Sequence, residues 1–174
     1  MQNLFSYPLV VDDLTPSVKK YHLSAQKEEL PYITEILKVP AVKSLQADIN
    51  VKPNKKEHQI KVWGTADAEI EQTSVISLEN FVKPYHTEFE ILFDTELTLK
   101  DLQEMEKEAE IDDEIPDIVT NGEINLADIA MEQIALVLDD FPRKEGEIFK
   151  FQTEFDEETA QAQNPFAVLA KLKK

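Results

Sequence analysis

Between Leu45 and Ile70 the chain repeats with a period of two, and this repeat constrains the fold more than any other feature. Leu45, Ala47, Ile49 and Val51 alternate with Gln46, Asp48 and Asn50. After Pro53-Asn54-Lys55-Lys56, the residues Ile60, Val62, Gly64, Ala66, Ala68 and Ile70 alternate with Lys61, Trp63, Thr65, Asp67, Glu69 and Glu71. Successive side chains of a strand point to opposite faces, so strict alternation describes a sheet buried on one side and wet on the other. The turn formers between the two runs predict an antiparallel pair. A third run alternates Tyr85, Thr87, Phe89, Ile91 and Phe93 with His86, Glu88, Glu90 and Leu92. Gly64 falls on the apolar parity and brings no side chain to a core. That position predicts a bulge or a close backbone approach.

Helical spacing flanks these strands. Ser24 is placed to cap a helix running to about Lys38, with Leu30, Ile33, Ile36 and Leu37 on one stripe. Pro31 lacks a backbone donor, so a kink or a start is expected near it. A second helix is predicted after Asn125, whose side chain can accept from orphan amides, with Asp128 completing a weak capping box. Ile124 and Ile129 suit a hydrophobic staple. Leu126, Ile129, Ala130, Ile134, Val137 and Leu138 share a face, and Pro142 is expected to end the helix. Phe5 to Leu14 reads as a short strand that Pro8 confines to an edge. Phe149, Phe151 and Phe155 share parity and suggest one more strand. Asn164-Pro165 opens a short amphipathic helix carrying Phe166, Leu169, Ala170 and Leu172, and its terminal lysines suit the negative end of a helix dipole. The expected architecture is α+β: a twisted, mainly antiparallel sheet of four to six strands packed with two or three helices. At 174 residues the chain is long enough for one domain, 1–174, with an acidic loop or insertion at about 94–117.

Charge narrows the functional classes. The chain has 18 Lys and Arg against 35 Asp and Glu, a net of −17, and Arg143 is its one arginine. A broad basic surface of the kind that coats DNA is excluded, because phosphate would be repelled over most of the molecule. The imbalance is local. Residues 1–60 hold eight lysines and seven acids, whereas Asp94 to Asp117 holds eleven acids and two lysines. That stretch reads as a solvated loop or an exposed acidic helix. A sharper reading makes it a docking strip for a basic partner, with Asp112, Asp113 and Glu114 as its densest part. These three lack the ligand spacing of a calcium loop. No apolar run is long enough to span a bilayer, and no basic-then-apolar leader opens the chain. A cytoplasmic protein is expected.

Few residues invite catalytic chemistry. Cysteine is absent, which removes disulfides, thiolate metal sites and a thiol nucleophile. His22, His58 and His86 are not paired at zinc-hydrolase spacing. Three glycines cannot supply a phosphate-cradling loop. Neither an enzyme nor a cofactor or metal is expected. Trp63, on the outward parity, could stack on a base or anchor a partner, or be covered by a helix or loop. Arg143, in Asp139-Asp140-Phe141-Pro142-Arg143-Lys144, could grip phosphate or pair locally with Asp139 or Asp140.

Four ordered stretches resemble the YceD-like family of large ribosomal RNA subunit accumulation proteins, most closely its alphaproteobacterial branch. They are Phe5 to Val11; Val62 to Ala68 leading into Gln72 to Glu79; Glu132 to Asp139 running on to Phe141 through Gly146; and Asn164 to Leu169 with Leu172. The resemblance implies a non-enzymatic bacterial or organellar factor needed for accumulation of large-subunit ribosomal RNA, acting in subunit assembly or RNA processing. Implied partners are a large-subunit precursor, its RNA or a basic ribosomal protein, with no DNA and no membrane. Candidate contacts are Trp63, Arg143, Lys144, Lys171 and Lys173, and Asp112, Asp113 and Glu114 for a basic partner. Many members carry cysteines that suggest a metal site. Here Ser74 and Ser77 stand near the first of these positions and Arg143 near the later ones, so no zinc role carries over. The alternative is an acidic interaction module, or a chaperone-like holder of a basic protein, with only an indirect ribosomal effect.

Overall fold

The computed structural model describes residues 5–108 and 115–148. The chain divides into two compact units, Met1–Lys144 and Glu145–Lys174. In the second, the described residues form a turn through Gly146, whose φ of +83° suits glycine. The strand expected at Phe149 to Phe155, the helix expected after Asn164, Lys171 and Lys173, and Asp112, Asp113 and Glu114 lie outside the described residues.

Three long strands dominate the first unit: β3 (Ala41–Asn54), β4 (Gln59–Thr73) and β5 (Asn80–Asp94). With the shorter β2 (Lys19–Ser24) and β6 (Asp117–Ile118) they form a five-stranded sheet in the order β2-β3-β4-β5-β6. All pairings are antiparallel except β5 with β6. A separate two-stranded sheet joins β1 (Pro8–Val10) to β7 (Glu123–Asn125), so Pro8 does lie on an edge. The strand ends early because Val11–Asp13 turns into a 3-10 helix. The helices are α1 (Leu30–Leu37), α2 (Leu99–Glu108) and α3 (Leu126–Val137). This is the expected α+β class.

The alternation places the core as the sequence requires. Leu45, Ala47, Ile49, Val51, Ile60, Val62, Ala66, Ala68 and Ile70 are all buried, under Ile33 and Leu37 of α1 and the apolar face of α3. Val42 is buried too, although it is out of step with Leu45. A bulge between Val42 and Ser44 resets the parity, and the Val42 N–H donates to Thr34 Oγ1 on α1 at 2.9 Å. Gly64 marks a close approach, without a bulge. A Cβ there would lie 3.0 Å from Ile49 Cα and closer still to the Asp48 carbonyl oxygen.

Several boundaries differ from expectation. Ser24 caps no helix; it ends β2, opposite Gln46. Tyr21 and Leu23 alternate with Lys20, His22 and Ser24, but the run is too short to stand out from a helical stripe. The helix starts at Leu30, near Pro31 as expected, with the proline in its first turn, where a missing N–H costs nothing. Of the expected stripe, Ile33 and Leu37 are buried and Ile36 is exposed. Pro142 does not end α3. The helix stops at Val137, and Asp139 is drawn to β5 by Lys83 (2.5 Å) and the Tyr85 hydroxyl (3.3 Å).

Asn125 is the N-cap of α3, as predicted. Its Oδ1 accepts from the Ala127 N–H at 3.2 Å and from the Tyr7 N–H at 2.8 Å, so one side chain ties β1 to the helix. Asn125→Ala should therefore cost about 1–2 kcal/mol. Chemical denaturation would show this as a lower midpoint at unchanged slope.

Candidate functional site

The hairpin that joins β4 to β5 and the segment that follows α3 meet at one end of the sheet. Ser74 is fully buried, and its Oγ accepts from the Ile76 N–H (3.1 Å) and the Ser77 N–H (3.3 Å). The Ser74 N–H donates to the Glu79 carbonyl, and Leu78, with φ +60°, turns the chain back. The neighbouring Val75 N–H donates to the Pro142 carbonyl at 2.9 Å. That bond locks the turn against residues 139–144. Ser74→Val would strip two backbone donors of their acceptor and should cost about 1–3 kcal/mol. Faster amide exchange at Ile76 and Ser77 would be the local signature.

Beneath this contact runs a polar network. The Tyr85 hydroxyl donates to Gln72 and lies beside Asp139, which Lys83 pairs. Burial, reinforced by the Asp139 charge, pushes the Tyr85 phenol up to about 12. The Lys83 ammonium holds the Asp139 carboxyl below its ordinary range. Neither group changes charge near neutrality, so the network fixes the loop and carries no proton.

Apolar side chains surround the contact and stay in solvent. Leu78 is 77% exposed and Phe141 75%, with Val75 and Ile36 also exposed. A groove of about 640 Å³ opens between Ile36, Pro40, Thr73, Ala135 and Pro142. Exposed large apolar groups make this end of the sheet a candidate interaction surface. Arg143 beside them is exposed, and among the described residues it pairs with neither Asp139 nor Asp140. Lys144 binds Glu79 at 3.1 Å.

A family model described as large ribosomal RNA subunit accumulation protein YceD matches residues 62–173. The chain belongs to the YceD family. The match starts inside β4, so the Phe5 to Val11 stretch lies outside it, whereas both partners of the Val75–Pro142 contact lie within. The family's role is tied to large-subunit ribosomal RNA, and its description names no reaction. No curated protein and no solved structure matches the chain.

Zinc does not fit this YceD site. Cysteine is absent, the Ser74 oxygen is committed to two backbone donors, and Arg143 brings a positive charge to the same loop. No cluster of three or more metal-ligating side chains occurs among the described residues.

Trp63 lies elsewhere. It is half-buried on the outer face of β4, between Asn50 and Glu90, with Lys61 Nζ 5.9 Å from its ring. Among the described residues no helix covers it: α1 and α3 pack on the opposite face. Asp48, Glu88 and Glu90 border the shallow groove around it, an arrangement that repels phosphate. Ten residues of strand, about 33 Å, separate Trp63 from the end of β4. The structure thus brings Arg143 and Lys144 together and leaves Trp63 apart.

Sequence reasoning missed the exposed Val75, Leu78 and Phe141, because isolated apolar residues in loops carry no periodic signal. The acidic stretch contains α2, an exposed acidic helix opened by a reciprocal cap. The Thr98 N–H and hydroxyl both donate to Asp101 (2.9 and 2.6 Å), and the Asp101 N–H donates to Thr98 Oγ1. Thr98-x-x-Asp101 is a capping-box pattern that was readable in the sequence.

Proposed function

We propose that the chain is a non-enzymatic assembly factor that docks on precursors of the large ribosomal subunit through the end of the sheet where residues 74–79 meet 139–144. The observation that supports this reading is the convergence of two family-matched segments on one exposed apolar surface. Leu78, Val75 and Phe141 would form the apolar centre of the contact, and Arg143 a polar rim that reaches phosphate or carboxylate. The net charge of −17 excludes a broad RNA-coating surface, so attachment rests chiefly on a ribosomal protein, with RNA touched locally by Arg143 and by Lys144, Lys171 and Lys173. Binding would then show a shallow salt dependence. Membership of the alphaproteobacterial branch and a cytoplasmic location accompany this reading.

Depletion should lower mature large-subunit RNA, and the chain should co-sediment with large-subunit precursors. Normal ribosome profiles after depletion would rule the reading out.

One observation favours the alternative, a holder of a basic protein: α2 is exposed and acidic. Asp112, Asp113 and Glu114 would extend that docking strip. Capture from nuclease-treated lysate separates the two. A single basic protein retained without any large-subunit precursor supports the holder.

A further inference from the structure

Among the described residues the outer edge of β5 is long and open. β5 spans Asn80–Asp94, but β6 covers only Phe93 and Asp94. Among the described residues nothing else pairs with the remaining stretch on that side. Backbone polarity follows from the bonds at the two ends of the β4–β5 ladder. The Thr95 N–H donates to the His58 carbonyl, and the Ser74 N–H to the Glu79 carbonyl. Odd-numbered residues of β5 therefore face β4, and Val82, Pro84, His86, Glu88 and Glu90 aim their backbone groups outward. The Asp94 carbonyl, of the same parity, accepts from the Val119 N–H at 3.1 Å, which shows the outward set in use.

An open edge of this length invites pairing, and natural sheets guard such edges. The opposite edge, β2, is only six residues long and carries Lys20. On β5 one guard is Pro84, which has no N–H to offer. From His86 to Glu90 the N–H and C=O groups are all present, and charge is the remaining guard. Glu88 and Glu90 are exposed there, Glu90 shares Lys61 at 2.5 Å, and His86 binds Asp67 at 2.7 Å. The connection to β6 adds Asp94, Glu96, Asp101 and Glu104. A second copy of a chain with net charge −17 would be repelled, and so would RNA. A cationic strand would be attracted.

We propose that the β5 edge from Val82 to Glu90 takes up an extended basic peptide as an added strand. Its backbone would pair with the outward groups of His86, Glu88 and Glu90, and its lysines or arginines would meet Glu88 and Glu90. This surface is a sheet edge, distinct from the loop contact between residues 74–79 and 139–144, and it specifies an extended rather than a folded partner.

The test uses the full chain and a short synthetic peptide alternating Lys and Val. Binding should slow amide exchange at His86, Glu88 and Glu90 and leave Lys20 and His22 on the β2 edge unchanged. The same peptide N-methylated at alternate residues keeps its charge but cannot pair, and it should bind about tenfold more weakly. Glu88→Lys should weaken the unmodified peptide several-fold, and Leu78→Asp should leave it unchanged. Failure of the docking reading thus cannot produce failure here. Equal binding of the N-methylated peptide, protection confined to other residues, or protection of the same amides by a second copy or by oligouridine would overturn the proposal.

Discussion

Gly64→Ala should destabilise the protein by about 3 kcal/mol. A glycine inside a strand ordinarily costs about 0.5–1 kcal/mol relative to alanine, so the substitution would usually help. Here the sign reverses. Gly64 is paired with Ile49 in the middle of β4, and its missing side chain would point at the Asp48 carbonyl and at Ile49 Cα. Both obstacles are backbone. Neither can move without opening the ladder between β3 and β4, which carries Leu45, Ala47, Ile49 and Val51. A thermal melt should fall by about 10 °C. A midpoint at or above that of the parent would show that the strands separate cheaply and that the close approach is incidental.

Leu78→Asp and Phe141→Asp should each reduce association with large-subunit precursors by about thirtyfold, and the double variant by more, since central apolar anchors contribute about 2 kcal/mol each. Both side chains are largely in solvent, so the melting temperature should stay within a degree or two. This split matters, because loss of binding with an intact fold assigns the residues to an interface. Arg143→Ala alone should have a smaller effect that grows at low salt, as expected of a rim charge. Unchanged co-sedimentation of the double variant would remove this end of the sheet from consideration.

The legible parts of the fold were those in which one physical signal dominated. Period-two alternation located β3 and β4 because every odd residue from Leu45 to Val51, and every even one from Ile60 to Ile70 except Gly64, fills the core. Asn125 was legible because a cap residue preceded an apolar helical run. Failures came where tertiary contacts decide. The bulge at Lys43 hid Val42 by shifting parity. Six residues of β2 gave too few alternations to outweigh the neighbouring helical stripe. The end of α3 is set by Asp139 reaching Lys83, a partner 56 residues away. A local pair of Arg143 with Asp139 or Asp140 was one of two open readings, and nothing in the sequence signalled that Lys83 would take Asp139. The family-like stretches could be read individually, but that Val75 and Pro142 touch is a property of the folded sheet alone.

The central claim is that residues 74–79 and 139–144 face the large-subunit precursor. Photo-crosslinking from positions 78 and 141 on isolated precursors tests it most directly, with position 20 on the far edge of the sheet as control. Adducts to a large-subunit ribosomal protein or its adjoining RNA are expected from both loop positions and few from the control. Adducts from position 20 alone, or none from either loop in fractions that contain the chain, would contradict it.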